Sequence, residues 1–462
     1  MRESPGRRRG EIGILLVALL VILALSPSWL AFSAFPRHLR AFEGEDEELL
    51  FGLPLKVYLS ADRPGINVDG KQIGPRFGPL DGRQSFRLSA AAVGSYRLRF
   101  CLLGLIPVRE MVLEVLPGLG LVPGGQSIGI MVRADGVLVV GYRAVTTPSG
   151  RARQPGRDAG LAPGDLILTV NGEPVMSEDD LTELVDRAGR QGQVSHLGVR
   201  RDGRLLTLEA VPALDRETGQ YRIGLWVRDG TAGVGTLTFY HPSSKVFAAL
   251  GHVVTDVDTN LPVDIRDGAI VDASVARIRQ GRRGYPGEKV GHLRPEGGSP
   301  LGVIHRNTEL GIVGSLNEFP LGLYDQPIPL ALVHQVRRGP AQILTVVDGD
   351  IVESFEVDIL RADVHQRYPA PKGLTIRITD RRLLARTGGI VQGMSGSPII
   401  QQGRLVGAVT HVFVTDPTRG YGVFAEWMAL EAGLVGLGDL AGAEGAGDAP
   451  AREPARAAVG GS

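Results

Sequence analysis

The chain has 462 residues and a mass of 49.2 kDa, enough for about three domains at roughly 100–200 residues each. Lys+Arg and Asp+Glu are both 50 and aromatic residues are 5%, so a nucleic-acid binder's basic face and stacking platforms are missing. One cysteine, Cys101, excludes an intramolecular disulfide and a Cys-cluster metal site, while 64 Gly and 30 Pro favour short strands and turns over long helices.

The N-terminus reads as an export signal or anchor over residues 1–35. Arg2, Arg7, Arg8 and Arg9 precede an uncharged apolar run at 12–25, and apolar character resumes after Ser26-Pro27-Ser28. The basic cluster stays cytoplasmic by the positive-inside rule and sends the remainder outward, so the expected location is extracytoplasmic. At the other end, 435–462 is Gly, Ala, Pro and scattered charge without apolar periodicity, which predicts a disordered tail.

Residues 36–118 predict a small β domain. Tyr96, Leu98 and Phe100 alternate with Arg97 and Arg99, the period of a half-buried strand, and 111–116 is a second strand; Cys101 reads as a small buried hydrophobe.

Residues 119–213 carry a more specific pattern. Ser127-Ile128-Gly129-Ile130 follows a Gly-rich turn, and Asp135-Gly136 predicts a hairpin turn before a strand at 137–140. Then come Ala159-Gly160-Leu161-Ala162-Pro163-Gly164-Asp165, a strand at 166–170 and Asn171-Gly172. Ser177 and Asp180 predict a capped helix whose apolar stripe is Leu181, Leu184, Val185 and Ala188. Asp202-Gly203 closes a further hairpin. The segment resembles a PDZ domain of the bacterial protease-associated kind. The resemblance implies that the N–H groups of Ile128, Gly129 and Ile130 capture a terminal carboxylate. A peptide C-terminus or internal segment then adds as a strand, with Leu181 and Val185 walling the groove.

Residues 214–434 hold the chemistry. A strand at 232–240 is followed by another at 246–250 that ends at Gly251-His252. Later comes Gly388-Gly389-Ile390-Val391-Gln392-Gly393-Met394-Ser395-Gly396-Ser397-Pro398, then Gln402-Gly403 as a hairpin turn. A serine hydroxyl needs a positioned base and backbone N–H groups aimed at the developing oxyanion. The Gly393-Met394-Ser395-Gly396 run before a hairpin resembles the nucleophile loop of chymotrypsin-like peptidases, with Gly393 and Ser395 forming the oxyanion hole. An α/β-hydrolase elbow would need a helix after the serine. His252 and His411 are both available as the base, and Asp256, Asp258, Asp264 and Asp380 as the acid. The fold class is therefore mainly β and multidomain: a small β domain, an α+β PDZ domain and a chymotrypsin-like β-barrel peptidase domain.

Several longer runs occur together and in order: Val122-Pro123-Gly124-Gly125-Gln126-Ser127, Gly235-Thr236-Leu237-Thr238-Phe239-Tyr240, Ala249-Leu250-Gly251-His252 and Thr255-Asp256-Val257-Asp258-Thr259. With Gly388 through Ser395 and Thr410-His411-Val412-Phe413-Val414, they resemble the stage IV sporulation protein B family of serine peptidases. The resemblance implies His252 as base, Asp380 as orienting acid and Ser395 as nucleophile. Asp256 and Asp258 read as structural residues of the loop after the histidine, and topology alone sets Thr410, His411 and Val412 at the border of the substrate. Asp380 and Ser395 are 15 positions apart, shorter than is usual in chymotrypsin-like folds. The resemblance further implies a signalling protease that crosses the forespore inner membrane and cleaves itself. Its substrates would be membrane-associated protein regulators of an intramembrane metalloprotease, and their cleavage would trigger sigma-factor processing. A PDZ-bearing envelope quality-control protease and a non-catalytic PDZ scaffold are the alternatives. No H-E-x-x-H, G-x-x-x-x-G-K-[ST] or G-x-G-x-x-G run occurs, so no metal or cofactor and no nucleic-acid partner is expected.

Overall fold

The computed structural model describes residues 35–50, 56–75, 78–81, 84–102, 104–293, 299–364 and 369–436, in two compact units that divide between Pro117 and Gly118. The expected anchor, apart from Phe35, and nearly all of the expected tail lie outside the described residues. Among the described residues no helix is long and apolar enough to cross a membrane.

The first unit has a five-stranded and a four-stranded sheet that share one apolar core. The predicted alternation holds: Tyr96, Leu98 and Phe100 point into that core from the Gly94–Leu102 strand, and Arg97 and Arg99 point out. Cys101 is buried and free.

The second unit is built on two six-stranded barrels, whose strands we number β1–β13 in chain order with one accessory strand, β5. The first barrel comprises β1 (Ser127–Tyr142), β2 (Leu225–Tyr240), β3 (Val246–Ala249), β4 (Ile265–Arg279), β6 (Gly302–Thr308) and β7 (Gly311–Leu316). Its order is β1-β4-β6-β7-β3-β2, and it closes where β2 pairs with β1. β5 (Glu288–Leu293) pairs with β4 outside the closed ring. Ile128, Ile130, Leu237, Phe247, Ile270 and Ile312 fill its interior. The second barrel comprises β8 (Gly339–Val346), β9 (Val352–Ala362), β10 (Leu374–Ile378), β11 (Pro398–Gln401), β12 (Arg404–Phe413) and β13 (Asp416–Phe424). It closes in the order β8-β9-β10-β13-β12-β11, with β11 back on β8.

The expected boundaries of 119–213 and 214–434 do not coincide with the strand pairing. The first half of β1, through Arg133, pairs with β2 on one side and β4 on the other, so these residues are a wall of the first barrel. The PDZ elements are inserted between β1 and β2. They comprise a strand at Leu166–Val170, helix α1 (Glu178–Arg190) and a hairpin of Ser195–Arg201 with Arg204–Ala210 around their own core. β1 and β2 run out of the barrel into this insertion as one antiparallel ribbon. Asp135-Gly136 is therefore a bulge, not the expected hairpin turn. Arg133 faces Gly230 and Leu138 faces Arg228, so the chain continues along the same neighbour, with Gly136 at φ +137°.

The turn predictions at Asp202-Gly203 and Gln402-Gly403 hold. Each of these pairs, like Asn171-Gly172, has both residues at positive φ, the geometry that tight two-residue hairpins require. Ser177 Oγ accepts the Asp180 N–H at 3.1 Å, and the Asp180 carboxylate reaches back to Met176 N at 2.9 Å.

Candidate active site

His252 and Ser395 come from different barrels. β3 ends at Ala249, and Leu250 and Gly251 follow at φ +70° and +72°, which turns the chain out of the sheet and delivers His252. A leucine in the left-handed region is strained, but its buried side chain fills the space over Gly235, where a Cβ would meet Leu250 Cδ2 at 2.3 Å. Gly251 packs on Thr410, with Cγ2 only 2.8 Å from where a Cβ would stand.

Ser395 lies on the loop before β11, bracketed by Gly393 at φ +91° and Gly396 at φ +95°. A Cβ on Gly396 would come within 2.1 Å of Thr236 O and 2.6 Å of Leu250 N, so backbone from the first barrel presses directly on the nucleophile loop. Thr236 of β2 holds that loop twice: its N–H donates to Ser395 O at 3.0 Å and its hydroxyl to Gly393 O at 2.7 Å. The Gly393 and Ser395 N–H groups donate to no other group among the described residues. That leaves the two donors an oxyanion hole requires.

Ser395 Oγ donates to Thr410 O at 2.7 Å. The next residue, His411, stacks beside His252 with ring centroids 5.0 Å apart and planes tilted 45°. Both expected histidines thus reach one place, but in different states. His252 Nδ1 lies 2.9 Å from Val253 O. A carbonyl only accepts, so Nδ1 carries the hydrogen and Nε2 keeps its lone pair, the tautomer a general base needs. Burial lowers the His252 pKa, partly opposed by that carbonyl, and keeps the ring neutral near pH 7. Burial, His252 and Lys372 push His411 down to about 4, and its buried Nδ1 has no partner among the described residues. His252 is the better base.

Asp380 is elsewhere engaged. It is the N-cap of helix α2 (Arg381–Thr387), accepting from Arg382 N at 2.8 Å and Leu383 N at 3.4 Å, and it pairs with Arg382 Nη2 at 2.9 Å. The Arg382 guanidinium, with backbone N–H groups, holds its carboxyl below the usual carboxylate range. It lines a cavity of about 510 Å³ with Gln342, Ser354, Glu356, Thr379, Arg381 and Arg382, which neither His252 nor Ser395 borders. Among the described residues no hydrogen bond or ion pair joins Asp380 to His252. The orienting contact expected of Asp380 is made by the Val253 carbonyl. Asp256 caps its own turn, accepting from Asp258 N, Thr259 N and Thr259 Oγ1, and Asp258 pairs with Arg228 at 2.7 Å.

The loop expected to receive a peptide is closed. Ile128, Gly129 and Ile130 lie in β1 with both edges paired, opposite Gly235, Val234 and Gly233 on β2 and Asp272, Val271 and Ile270 on β4. No edge remains for a peptide. Gly129 is small because a Cβ would meet Leu293 Cδ2 at 2.5 Å. Leu181 and Val185 do line a groove, a cavity of about 150 Å³, but the residues that line it with them are Ile223, Gly224 and Leu225, not Ile128–Ile130. Ile223-Gly224-Leu225 repeats the apolar-Gly-apolar pattern of Ile128-Gly129-Ile130, and that repeat was the available signal. Thr236 was likewise visible only as part of a strand.

A family model described as SpoIVB peptidase S55 matches residues 219–429, and one described as PDZ domain matches 147–201. A protein of Brucella suis biovar 1 named as a zinc metalloprotease is 34% identical over 97 residues, 20% of this chain and 24% of the relative. One of Pseudomonas fluorescens named as a DegP-like periplasmic serine endoprotease is 32% identical over 105 residues, 22% of each. The chain thus spans under a quarter of the length of the curated relatives it matches. The active form of the Rv3671c protease from M. tuberculosis superposes on 45% of this chain and 75% of its own, at 16% identity and a TM-score of 0.26. That superposition is too loose to equate the two folds.

Proposed function

We propose that the chain, whose residues 219–429 match the SpoIVB peptidase S55 model and 147–201 a PDZ model, is a serine endopeptidase of that family and acts as an exported or membrane-anchored signalling protease. Its substrates would be membrane-associated regulators of an intramembrane metalloprotease, cut between the forespore membranes, and it would also cut itself. The family assignment supports this reading, and so does the PDZ insertion, whose groove is carried on the same β2 strand as Thr236.

The observation that carries the chemistry is a base-competent His252 tautomer stacked beside His411, next in the chain to the Thr410 carbonyl that takes the Ser395 hydroxyl, with the Gly393 and Ser395 N–H groups unengaged among the described residues. In the proposed reaction Ser395 Oγ leaves the Thr410 carbonyl and attacks the scissile carbonyl carbon. His252 Nε2 takes the hydroxyl proton, and the Gly393 and Ser395 N–H groups bind the oxyanion. The tetrahedral intermediate collapses as His252 returns the proton to the leaving amine. Water then hydrolyses the acyl-enzyme by the same relay.

Intact-mass analysis of protein beginning at Phe35 tests the reading. Time-dependent trimming is expected in wild type and should be absent in Ser395→Ala. Trimming that persists in Ser395→Ala would overturn it.

A further inference from the structure

Lys289, near the start of β5, is 5% exposed, and no acid faces it. Its Nζ donates to Thr345 Oγ1 on β8 at 2.8 Å and reaches Ser127 Oγ on β1 at 3.4 Å. On β4 it stands opposite Ile278, and the flanking Glu288 is taken by Arg279 at 2.5 Å. A lysine so placed is costly, since an ammonium out of water needs a counter-ion or a full set of acceptors. Methionine would fill nearly the same space without that cost.

Its position relates it to the nucleophile loop. Lys289 N donates to Gln392 O at 2.9 Å and Gln392 N to Gly287 O at 2.8 Å, so β5 is laddered to the residue before Gly393. A Cβ on Gly393 would lie 3.1 Å from both Cβ and Cδ of Lys289. The lysine stem therefore passes under Gly393, and Nζ is two bonds beyond that Cδ. Ser127 stands opposite Thr236 in the β1–β2 ladder, and Thr236 holds the carbonyls of Gly393 and Ser395.

We propose that Lys289 is a positioning residue of the oxyanion site: held by Thr345 and Ser127 behind Gly393, its ammonium supplies positive charge on the protein side of the Gly393 and Ser395 N–H groups. The inference rests on the peptidase reading of His252 and Ser395. A negative oxygen forms only as Ser395 adds to its target, so a fixed charge behind the donors favours the transition state over the ground state. Burial alone brings the lysine pKa down to about 7. The charge is therefore present in mild acid and lost as pH rises through neutrality. Activity should decline on the alkaline side there, and on the acid side where His252 becomes protonated.

The test is the rate at which a fluorophosphonate labels the full chain in detergent, from pH 5.5 to 9.5. Labelling forms the Ser395 Oγ–P bond and breaks P–F; fluoride leaves and the serine proton passes to His252. Wild type should show a bell with its alkaline limb near pH 7. Lys289→Met should label about tenfold more slowly at pH 6, and that limb should vanish. Thr345→Val, which keeps the lysine and removes its best acceptor, should move the limb to lower pH. It decides the matter if Lys289→Met fails to fold. Lys289→Met labelling at the wild-type rate with its limb unmoved would overturn the proposal, as would an unmoved limb in Thr345→Val. Wild type that never labels at Ser395 would instead overturn the peptidase reading on which the proposal rests.

Discussion

The two barrels close with the same number of strands but hold their halves of the site differently. The second barrel presents Ser395 from a short loop locked by Gly393, Gly396 and the two Thr236 hydrogen bonds. The first barrel presents His252 from a longer excursion, 250–264, pinned through Asp256, Asn307 and Arg228. It also extends β1 and β2 outward into the PDZ insertion. The proposed nucleophile is thus fixed by close backbone approach. The proposed base is fixed by side chains, one of them on the strand that leads to the groove beside α1. From Leu225 at the groove to Thr236 at the loop, β2 advances eleven residues, roughly 36 Å of strand.

The sharpest way to break this contrast is Gly396→Ala. The added Cβ would lie 2.1 Å from Thr236 O, and alanine disfavours φ +95°. Neither a carbonyl in a barrel ladder nor the Leu250 backbone can step aside cheaply. We expect a loss of at least about 100-fold in Ser395 labelling, with destabilisation of about 2–4 kcal/mol by denaturant titration. Wild-type labelling in this variant would mean that the nucleophile loop is not fixed by backbone contact.

The sequence made the second barrel's half of the site more legible than the first's. The Gly-x-Ser-Gly run before a hairpin points to a tight loop that presents Ser395, because sharp turns at positive φ need glycine where they occur. His252 was legible because it ends an apolar strand. Asp380 is engaged locally: an Asp two residues before Arg382 at the start of a helix makes a cap and an ion pair, contacts as local as the motif itself. Ile128-Gly129-Ile130 and Ile223-Gly224-Leu225 look alike in sequence. Only the pairing of both edges of β1, a long-range property, shows which of them faces α1. Lys289 carried no signal, since its meaning depends on Thr345 and Ser127, 56 and 162 positions away.

Asp380→Ala tests whether the second barrel's acid belongs to the helix or to the base. As a cap and ion-pair partner it should contribute about 1–2 kcal/mol of stability at neutral pH. Its carboxyl pKa is depressed in the folded chain. The contribution is therefore complete above the ordinary Asp value of 3.8 and is lost as pH falls through the lower folded value. Denaturation midpoints of wild type and variant should separate at pH 7 and converge in strong acid. At temperatures where the variant stays folded, Ser395 labelling should fall less than tenfold. A loss of about 10⁴ in a folded variant would place the carboxylate on His252 during turnover.

The smallest effect is expected at the link between groove and base. Arg228 sits on β2, three residues past Leu225, and its guanidinium meets Asp258 at 2.7 Å and Asp256 at 3.7 Å. Arg228 and Asp258 are both partly exposed, 35% and 44%, so the pair should be worth well under about 1 kcal/mol and weaken with salt. Arg228→Gln should therefore leave the melting temperature within about 2 °C. Asp256 still caps its turn through Thr259, so the loop should keep its shape. What should change is the response to a groove ligand. A peptide beside Leu225 can reach His252 through Arg228, whereas the nucleophile loop receives β2 only at Thr236, eight residues farther on. If a PDZ-binding peptide alters Ser395 labelling in wild type, Arg228→Gln should shrink that effect severalfold while the rate without peptide stays put. An equal response in both proteins would mean that the two barrels sense the groove alike, through the β1–β2 ribbon and not through the side chains that pin the base.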